Sequence, residues 1–410
     1  MTPADECHHV SASNFNRILS SAHSKFVYGL SATPIRKDGQ HPIIFMQCGP
    51  IRFKVDAKKE ALKRTFDHYI IPRFTSFRIP LYQNESEWHI SDVYKHLCEN
   101  KSRNNLIVKD IEGAVLAGRN PIVLTERTTH IDLLLEMMKD KDFEVIELSG
   151  RMSSKERKAS MEKIKNHKNT DTFVIVATGK LIGEGFDEAR QDTLFMAMPI
   201  SWKGTIAQYA GRLHRNYIGK EEVQIYDYID VHIGVLERMY QKRLNEYRAV
   251  GYNIKSNNKD NSTGEVIYSS TDYFSQIIKD IGESKKMIII SSPHIQKNKV
   301  ELVKELLTAK YHSGLRIVVL TKRLEEYPEK QRDFINQFIK EYEEIGINVI
   351  QQERHSHKFM IIDHELIWYG GVDILGENRN EESIIRIINE ELGNELIGII
   401  ENRGMPNKEN

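Results

Sequence analysis

The feature that most constrains the fold is a regular alternation of short, uninterrupted apolar segments with amphipathic ones. The strand-like segments include NPIVLTE, FEVIELSG, TFVIVATG and DTLFMAMPI, and segments of helical spacing separate them. The same alternation restarts downstream with KKMIIISSPHI and LRIVVLTK. Continuous apolar strands are typical of sheets whose two faces are both covered by helices. The sequence therefore predicts an α/β protein with parallel sheets.

Composition limits the classes of protein that remain. Lys and Arg number 58, as do Asp and Glu, so net charge gives no global argument for nucleic-acid binding and any basic surface must be local. The three cysteines, Cys7, Cys48 and Cys98, show no CxxC spacing, which argues against a zinc site or a disulfide framework and predicts a cytoplasmic protein. No apolar run reaches the length of a membrane span, roughly 18 residues, and no signal peptide is recognisable.

The alternation also predicts the domain organisation. Residues 92–250 form one α/β domain, and 251–265, polar and rich in asparagine (KSNNKDNSTGE), form a linker. Residues 266–410 form a second α/β domain. Residues 1–55, with a strand expected in HSKFVYGL, belong to an additional α/β unit, and 56–91 connect it to the rest.

Two short motifs in the N-terminal unit suggest nucleotide chemistry. DECHH places Asp5 beside Glu6, and SAT follows about 25 residues later as Ser31–Thr33. In nucleotide-hydrolysing folds one such acid holds Mg²⁺ and the next orients the attacking water. An adjacent Asp-Glu pair by itself more often lies on a solvated loop, so this motif indicates nucleotide chemistry only when the other motifs accompany it.

Two further motifs lie in the 92–250 domain. VATGKLIGEGFDEA starts at a predicted strand end and supplies Gly185 and Asp187, with glycines where backbone must approach a ligand. QYAGRLHR supplies Gln208, Arg212 and Arg215. The two arginines are three residues apart, which predicts one helical face. Two guanidinium groups so placed can reach the terminal phosphate of a nucleotide across a cleft.

The four motifs, in this order and at these separations, resemble motifs II, III, V and VI of superfamily 2 helicases of the DEAD/DEAH (DExH) type. The flanking text is especially similar to helicases of bacterial restriction and defence systems and of TOTE conflict systems. The resemblance covers residues 5–250 and implies two RecA-like domains, of which 92–250 is a complete second one. It implies ATP and Mg²⁺ as cofactors and DNA as partner, with RNA an open alternative.

The resemblance also implies roles for the N-terminal motif residues. Asp5 would serve as the Mg²⁺ ligand and Glu6 would activate water. Ser31 and Thr33 would couple hydrolysis to movement of the nucleic-acid strand. These roles are carried over from the family, position by position.

The motif residues of the second RecA-like domain receive roles in the same way. Gly185 and Asp187 would face nucleotide and nucleic acid. Gln208, Arg212 and Arg215 would close on the phosphates.

The phosphate-cradling segment G-x-x-x-x-G-K-[ST] of such motors does not occur anywhere in the 410 residues. MTPA also does not resemble the buried strand expected before Asp5. We therefore expect residues 1–55 to be a truncated remnant of the first RecA-like domain. The chain is expected to be the C-terminal portion of a longer protein, or the product of a broken or internally started frame, with little ATP hydrolysis of its own.

The C-terminal stretch RHSHKFMIIDHELIWYGGVD resembles the H-x-K-x4-D region of phospholipase D-like nucleases. Lys358 and Asp363 have the family spacing, but Ser356 stands where the histidine belongs, and His355 and His357 flank it. In that family the histidine attacks phosphorus, the lysine neutralises phosphate oxygens and a carboxylate orients the imidazole, with no metal required.

The resemblance makes His357 the expected nucleophile, with Lys358 and Asp363 as its partners, provided that a bulge re-aims the imidazole. Without a bulge, strand alternation turns His357 away from Lys358, and the domain becomes a binding clamp. The following Gly-Ser-x-Asn of the family reads Gly370–Asp373 here, with both polar positions changed. Only one such motif is present, so a working site implies a homodimer with the site at a two-fold axis.

Two hypotheses of different class follow. The first is the C-terminal part of an ATP-dependent helicase fused to a nuclease domain. The second is a non-catalytic nucleic-acid-binding fragment, for which RLHRNYIGK and ERMYQKRLNEYR are candidate basic surfaces, unless they are solvated helix faces. A lipid-acting phospholipase is disfavoured, because a helicase domain adjoins and no membrane-binding segment is visible.

Overall fold

The computed structural model contains sixteen strands and thirteen α-helices among the residues it describes. The described residues are 2–5, 7, 10, 13–31, 39, 41–55, 57–79, 89–167, 172–179, 188–200, 205–255, 267–270, 272–378 and 382–401. The strands are β1 Thr2–Ala4, β2 Val27–Gly29, β3 Asp67–Phe74, β4 Pro121–Thr125, β5 Glu144–Leu148, β6 Phe173–Thr178, β7 Thr193–Met196, β8 Glu222–Ile229, β9 Asn253–Ile254, β10 Ile267–Ser269, β11 Met287–Ser291, β12 Arg316–Lys322, β13 Asn348–Gln352, β14 Phe359–Ile362, β15 Leu366–Gly370 and β16 Ser383–Ile388. The helices are α1 Ser13–Ser20, α2 His41–Cys48, α3 Ala57–Leu62, α4 Ile90–Glu99, α5 Lys101–Leu116, α6 Thr128–Met138, α7 Ser154–Asn166, α8 Thr205–Leu213, α9 Gly234–Val250, α10 Phe274–Glu283, α11 Lys297–His312, α12 Glu329–Ile345 and α13 Glu390–Glu401.

The N-terminal unit is built on a two-stranded parallel ribbon. Strand β1 pairs with β2, with Ala4 opposite Gly29. A small apolar cluster of Cys7, Val10 and Ile44 packs beneath it. The strand expected in HSKFVYGL is thus confirmed, whereas the expectation that no strand precedes Asp5 is wrong. The short MTPA segment becomes a strand because β2 offers it a parallel partner.

The second sheet has seven strands in the order β5-β6-β4-β7-β8-β3-β9, all parallel. The alternation in the sequence predicts this architecture, and the structure confirms it. The sheet is larger than residues 92–250, however. Strand β3 lies in the segment expected as a connector, and β9 lies at the start of the expected linker. Strand β3 joins the sheet by pairing with β8 along its full length, and β9 joins it by pairing with β3.

Strand β4 shows how both faces of this sheet are buried. Ile122 and Leu124 belong to one apolar core, and Val123 between them belongs to another on the opposite face. Helices α5 and α6 cover the second face through residues such as Ile107 and Ile131. Side chains that alternate between two buried faces explain the uninterrupted apolar strands in the sequence.

The third sheet is mixed, with seven strands in the order β10-β16-β15-β14-β11-β12-β13. The pairs β11–β12 and β12–β13 are parallel, and the remaining pairs are antiparallel. Antiparallel neighbours give β14 and β15 a tight connection at residues 363–365. No helix in the described part of the chain combines the length and apolarity that crossing a bilayer would require.

The second and third sheets share one continuous apolar core. Phe74 at the end of β3 meets Tyr369 of β15 edge to face, with ring centroids 5.0 Å apart. Tyr240 of α9 lies 5.9 Å from the same Tyr369 ring, and Leu396 of α13 belongs to the same core. Aromatic pairs of this kind add to the free energy gained by burial. The domain of 266–410 is therefore packed directly on the second sheet.

Two buried histidines make the stability of this fold sensitive to acid. Burial lowers the pKa of His130 to about 3 and that of His214 to about 2. His214 contacts the Tyr252 hydroxyl through Nε2 at 2.9 Å. Both imidazoles stay neutral in the folded protein but take up protons below about pH 6.5 once unfolded. Their contribution to stability is therefore complete above that pH and decreases as the pH falls.

We expect the free energy of unfolding to fall below pH 6.5 by up to ~1.4 kcal/mol per pH unit for each histidine. In His214→Phe the slope should decrease by about one proton, measured by urea unfolding between pH 7 and pH 5. His96→Gln, at an exposed position of α4, is the control and should leave the slope unchanged. Equal slopes in wild type and His214→Phe would contradict this assignment.

Candidate active site

The N-terminal motif residues lie at the carboxyl ends of two neighbouring parallel strands. Asp5 follows β1 and is exposed, and Ser31 follows β2 by two residues. Main-chain hydrogen bonds tie the two segments together beyond the strands, from Cys7 N–H to the Leu30 carbonyl at 2.9 Å. This edge is where the ligands of parallel sheets bind. Glu6 and Thr33 lie outside the described residues.

The predicted Mg²⁺ site at Asp5 has one described carboxylate. Mg²⁺ is ordinarily held by one or two protein carboxylates together with phosphate oxygens and waters, so an exposed Asp5 at a strand end fits part of such a site. In the described part of the chain, no three His, Cys, Asp or Glu side chains converge as they would around a protein-only metal site. The Mg²⁺ role of Asp5 stays a prediction.

The motifs of the second sheet are partly described. Gly185 and Asp187 lie outside the described residues, and Gln208 lies in α8. Arg212 is half-buried in the last turn of the same helix. Arg215 falls two residues beyond Leu213, where α8 ends, so the expectation that both arginines share one helical face is corrected.

The end of α8 is held by Lys220, which the sequence did not single out as functional. Its ammonium donates to the carbonyls of Leu213 and Arg215, each at 3.0 Å, and to those of Ala189 and Gln191. Burial lowers the pKa of Lys220 to about 8. A cation at a helix C-terminus satisfies carbonyls that have no intrahelical partner. Lys220 thus fixes the backbone that carries Arg212 and Arg215.

A cleft of about 830 Å³ lies between α9 and the third sheet. Its lining combines ionisable and amide side chains from both domains. Among them are Glu237, Arg238, Gln241, Lys242, His294, Ser356, Lys358, Gly371, Asn378 and Glu382. Helix α9 of the same chain forms one wall of the cleft that Lys358 lines.

The segment before β14 alternates between buried and accessible positions. Ser356 and Lys358 line the cleft, whereas His355 is buried and His357 is mostly buried. Both ring nitrogens of His355 have partners inside the domain: Nε2 lies 2.8 Å from Ser291 Oγ, and Nδ1 lies 3.0 Å from Gln352 Oε1. It is a core histidine that joins β11 to β13.

His357 does not occupy the position that the bulge hypothesis requires. Its main-chain carbonyl accepts from Ser291 Oγ at 2.7 Å, and its ring Nδ1 lies 3.8 Å from Glu237 Oε2 of α9. The side chain is 12% exposed. Strand-like alternation therefore directs His357 toward α9 and leaves Ser356 beside Lys358.

Lys358 lies in the cleft as the family resemblance predicts. Its ammonium donates to the Gly371 carbonyl at 2.6 Å and lies 3.7 Å from Glu382. The ammonium is thus held at the turn after β15, with two of its three donors directed at described groups. An ammonium so oriented can stabilise charge that develops on phosphate oxygens.

Asp363 is not near Lys358, which corrects its predicted role. The two residues flank β14 at opposite ends, a separation of roughly 16 Å at 3.3 Å per residue. Asp363 has a left-handed φ of 55° and accepts from the main-chain N–H groups of Lys285, Lys286 and Met287 at 2.6–2.9 Å. Its carboxylate secures the start of β11 and cannot orient an imidazole in the cleft.

The structure instead brings a different histidine to the cleft. His294 follows β11, its side chain is 58% exposed, and its Nδ1 lies 3.1 Å from Oδ2 of Asp373, which is completely buried. Its Nε2 lies 3.1 Å from the Lys322 ammonium at the end of β12. Nδ1–H donation to the carboxylate would leave the Nε2 lone pair facing the Lys322 ammonium. Sequence reasoning missed His294, and the one signal was its place directly after an apolar strand.

Asp373 is fixed by its own hydrogen bonds. Its carboxylate accepts from Ser292 Oγ and from the main-chain N–H of His294 at 3.1 Å. Its main-chain N–H donates to Asn378 Oδ1 at 2.6 Å, and Asn378 donates in turn to the Tyr273 hydroxyl at 2.9 Å. A buried carboxylate satisfied in this way resists reorientation. The Asp that replaces the family Asn thus has a defined partner, the imidazole of His294.

Helix α9 is anchored to the second sheet by a buried ion pair. The Arg243 guanidinium donates from Nε and Nη2 to the two Asp227 oxygens of β8, each at 2.8 Å, and both side chains are at most 2% exposed. Tyr247 Oη donates to the same carboxylate at 2.8 Å. One face of the segment ERMYQKRLNEYR is therefore buried, because Arg243 is enclosed.

Comparison with known families agrees with both halves of the sequence analysis. The family described as helicase conserved C-terminal domain matches residues 104–217. The family described as cardiolipin synthase, PLD-like domain, matches residues 277–403. The matched ranges fall on the second and third sheets respectively.

Similar proteins include several viral helicases. The putative ATP-dependent RNA helicase L396 of Acanthamoeba polyphaga mimivirus is 25% identical over 68% of this chain and 53% of its own length. The probable helicase D10 of Escherichia phage T5 is 25% identical over 55% of this chain and 48% of its own length. The chain thus spans about half the length of these curated relatives.

Solved structures with partial likeness include one for each domain. T4 UvsW covers 62% of this chain and 53% of its own, at 19% identity and a TM-score of 0.38. Nuc of Salmonella typhimurium, a phospholipase D family member, covers 32% of this chain and 84% of its own, at 13% identity and a TM-score of 0.26.

We expect Arg243→Ala to destabilise the protein by ~3–5 kcal/mol, because it leaves the Asp227 carboxylate buried without a charged partner. Urea unfolding measures the change. The double variant Arg243→Met/Asp227→Leu removes both charges and should lose much less, or nothing. If both variants lost the same amount, the cost would come from packing rather than from the uncompensated charge.

Proposed function

We propose that the chain, which contains a helicase conserved C-terminal domain and a phospholipase D-like domain, cleaves phosphodiester bonds of nucleic acid in the α9 cleft. DNA is the proposed substrate, with RNA as the alternative. The single observation that supports cleavage is the His294–Asp373 pair in the same cleft as Lys358. This pair supplies an oriented imidazole in a chain that has Ser356 at the histidine position of the family motif.

The proposed first step is attack by His294 Nε2 on phosphorus. An N–P bond forms while the P–O bond to the leaving strand breaks, and the leaving oxygen takes a proton from the Lys322 ammonium. The Nδ1 proton stays on the bond to Asp373, whose negative charge balances the imidazolium. Lys358 stabilises the equatorial phosphate oxygens.

The second step regenerates the site. A water attacks phosphorus, the N–P bond breaks and the proton of the water goes to the Lys322 amine. All acid–base and nucleophilic groups in this route are side chains of the chain itself. The route therefore predicts cleavage that persists in EDTA.

We expect His294→Ala to lower cleavage of a labelled oligonucleotide in EDTA by at least ~10³-fold, because the nucleophile is lost. Lys358→Ala should also lower the rate. His357→Ala and His355→Ala are the matched imidazole controls, and His357→Ala should retain cleavage. Wild type quenched in alkaline denaturant should carry a labelled adduct that is stable to base and labile to acid, which His294→Ala lacks. Loss of cleavage only in His357→Ala would return the nucleophile to that residue.

A second candidate function is nucleic-acid binding without cleavage. It is favoured by the engagement of Lys358 with the Gly371 carbonyl and Glu382, and by Ser356 at the family histidine position. A folded wild-type protein that binds the oligonucleotide but leaves it intact, with and without divalent metal, would support this alternative.

For the motor half, we propose that these 410 residues scaffold nucleic acid and do not turn over ATP by themselves. The support is the sequence, which lacks a G-x-x-x-x-G-K-[ST] segment. Asp5, Ser31, Arg212 and Arg215 retain their proposed family roles in a complete motor.

Phosphate release from ATP by the purified chain should equal the buffer background, with or without single- or double-stranded DNA, because the sequence has no G-x-x-x-x-G-K-[ST] segment to cradle the β- and γ-phosphates. A coupled phosphate assay measures this. DNA-stimulated turnover that disappears in Glu6→Gln would overturn the proposal, since it would show a functional site that uses the predicted water-activating acid.

A further inference from the structure

The wall of the cleft formed by α9 carries two exposed cations, Arg238 and Lys242, one helical turn apart. In the part of the chain that the structure describes, neither has a carboxylate within ion-pair distance. Two exposed cations on a helix are commonly a solvated face. Here they line the same cleft as His294 and Lys358, which makes their position specific.

The carboxylates of the cleft are engaged elsewhere. Glu382 lies 3.7 Å from Lys358, and Glu377 accepts from Gln296 Nε2 at 3.3 Å. Glu237 accepts from the Tyr369 hydroxyl at 3.3 Å. None of these three carboxylates forms an ion pair with Arg238 or Lys242, so the two cations of α9 can pair with an incoming anion.

Gln241 lies between these two cations on the helix surface and adds a polar feature. Its Oε1 atom is buried without a hydrogen-bond donor among the described residues. A side chain at Gly371 would bring its Cβ within 3.1 Å of that oxygen, so α9 packs closely on the turn where the family has serine. A buried acceptor without a donor costs free energy until a ligand or water supplies one.

We propose that the α9 wall binds single-stranded nucleic acid, with Arg238 and Lys242 holding successive phosphates. The helix thereby supplies, within one chain, one wall of the cleft that Lys358 lines. A cleft of about 830 Å³ is large enough to hold a few nucleotides of one strand. The inference deepens the proposed nuclease function, but it concerns binding and does not depend on cleavage.

The test is fluorescence anisotropy of the full chain in EDTA with labelled 12-nucleotide single-stranded DNA, single-stranded RNA and duplex DNA, titrated over a range of salt. Arg238→Ala/Lys242→Ala should weaken single-strand binding at least 10-fold. It should also reduce the slope of log K against log salt by ~0.7 per lost phosphate contact. Duplex should bind more weakly than either single strand, and DNA and RNA are compared directly.

Lys155→Ala/Lys158→Ala removes two exposed cations of similar spacing on α7 and is the matched control. It should leave affinity unchanged, and Arg238→Lys should retain most of it. Unchanged binding in the α9 double variant, or an equal loss in the α7 control, would overturn the inference. Failure of the nuclease proposal would appear differently, as intact binding with no cleavage.

Discussion

The bidentate pair between Arg243 and Asp227 is the interaction on which the arrangement of the two domains depends. It fixes α9 to strand β8 of the second sheet with both partners enclosed. An adjacent part of the same helical face meets the third sheet through Tyr240 and Tyr369. Such a pair gains little free energy over an apolar replacement but penalises any arrangement that separates the charges. It therefore specifies where α9 lies more than it adds stability.

The position of α9 has direct consequences for the chemistry of the cleft. Its Glu237 lies beside His357, and its Gln241 lies against Gly371. A side chain at Gly371 would crowd Gln241, which gives a physical reason for glycine where the related nucleases carry serine. The oriented imidazole comes instead from His294, which follows β11 and is held by Asp373. The two changed motif positions thus each have a structural partner: Gly371 packs against α9, and Asp373 holds His294.

Much of the fold could be predicted from the sequence, since the spacing of apolar residues along the chain and the burial that it implies are local properties. The alternation predicted the parallel sheet, and the strand in residues 23–30 was correctly expected. Strands β1, β3 and β9 were missed or assigned to connecting segments. Each is stabilised by pairing with a partner distant in the chain, which local patterns do not encode. The same limit made Arg215 a helical residue in the prediction, although α8 ends at Leu213.

The sequence by itself determined that Ser356 replaces the family histidine and that Lys358 keeps its position. Strand alternation, a rule of local geometry, also predicted that His357 and Lys358 would point apart. Only the tertiary structure decided what takes the place of the missing group, because His294 and Asp373 are 79 residues apart and meet through strand order. It likewise decided that Asp363 lies at the far end of β14 and that α9 closes the cleft, since both follow from how distant segments pack.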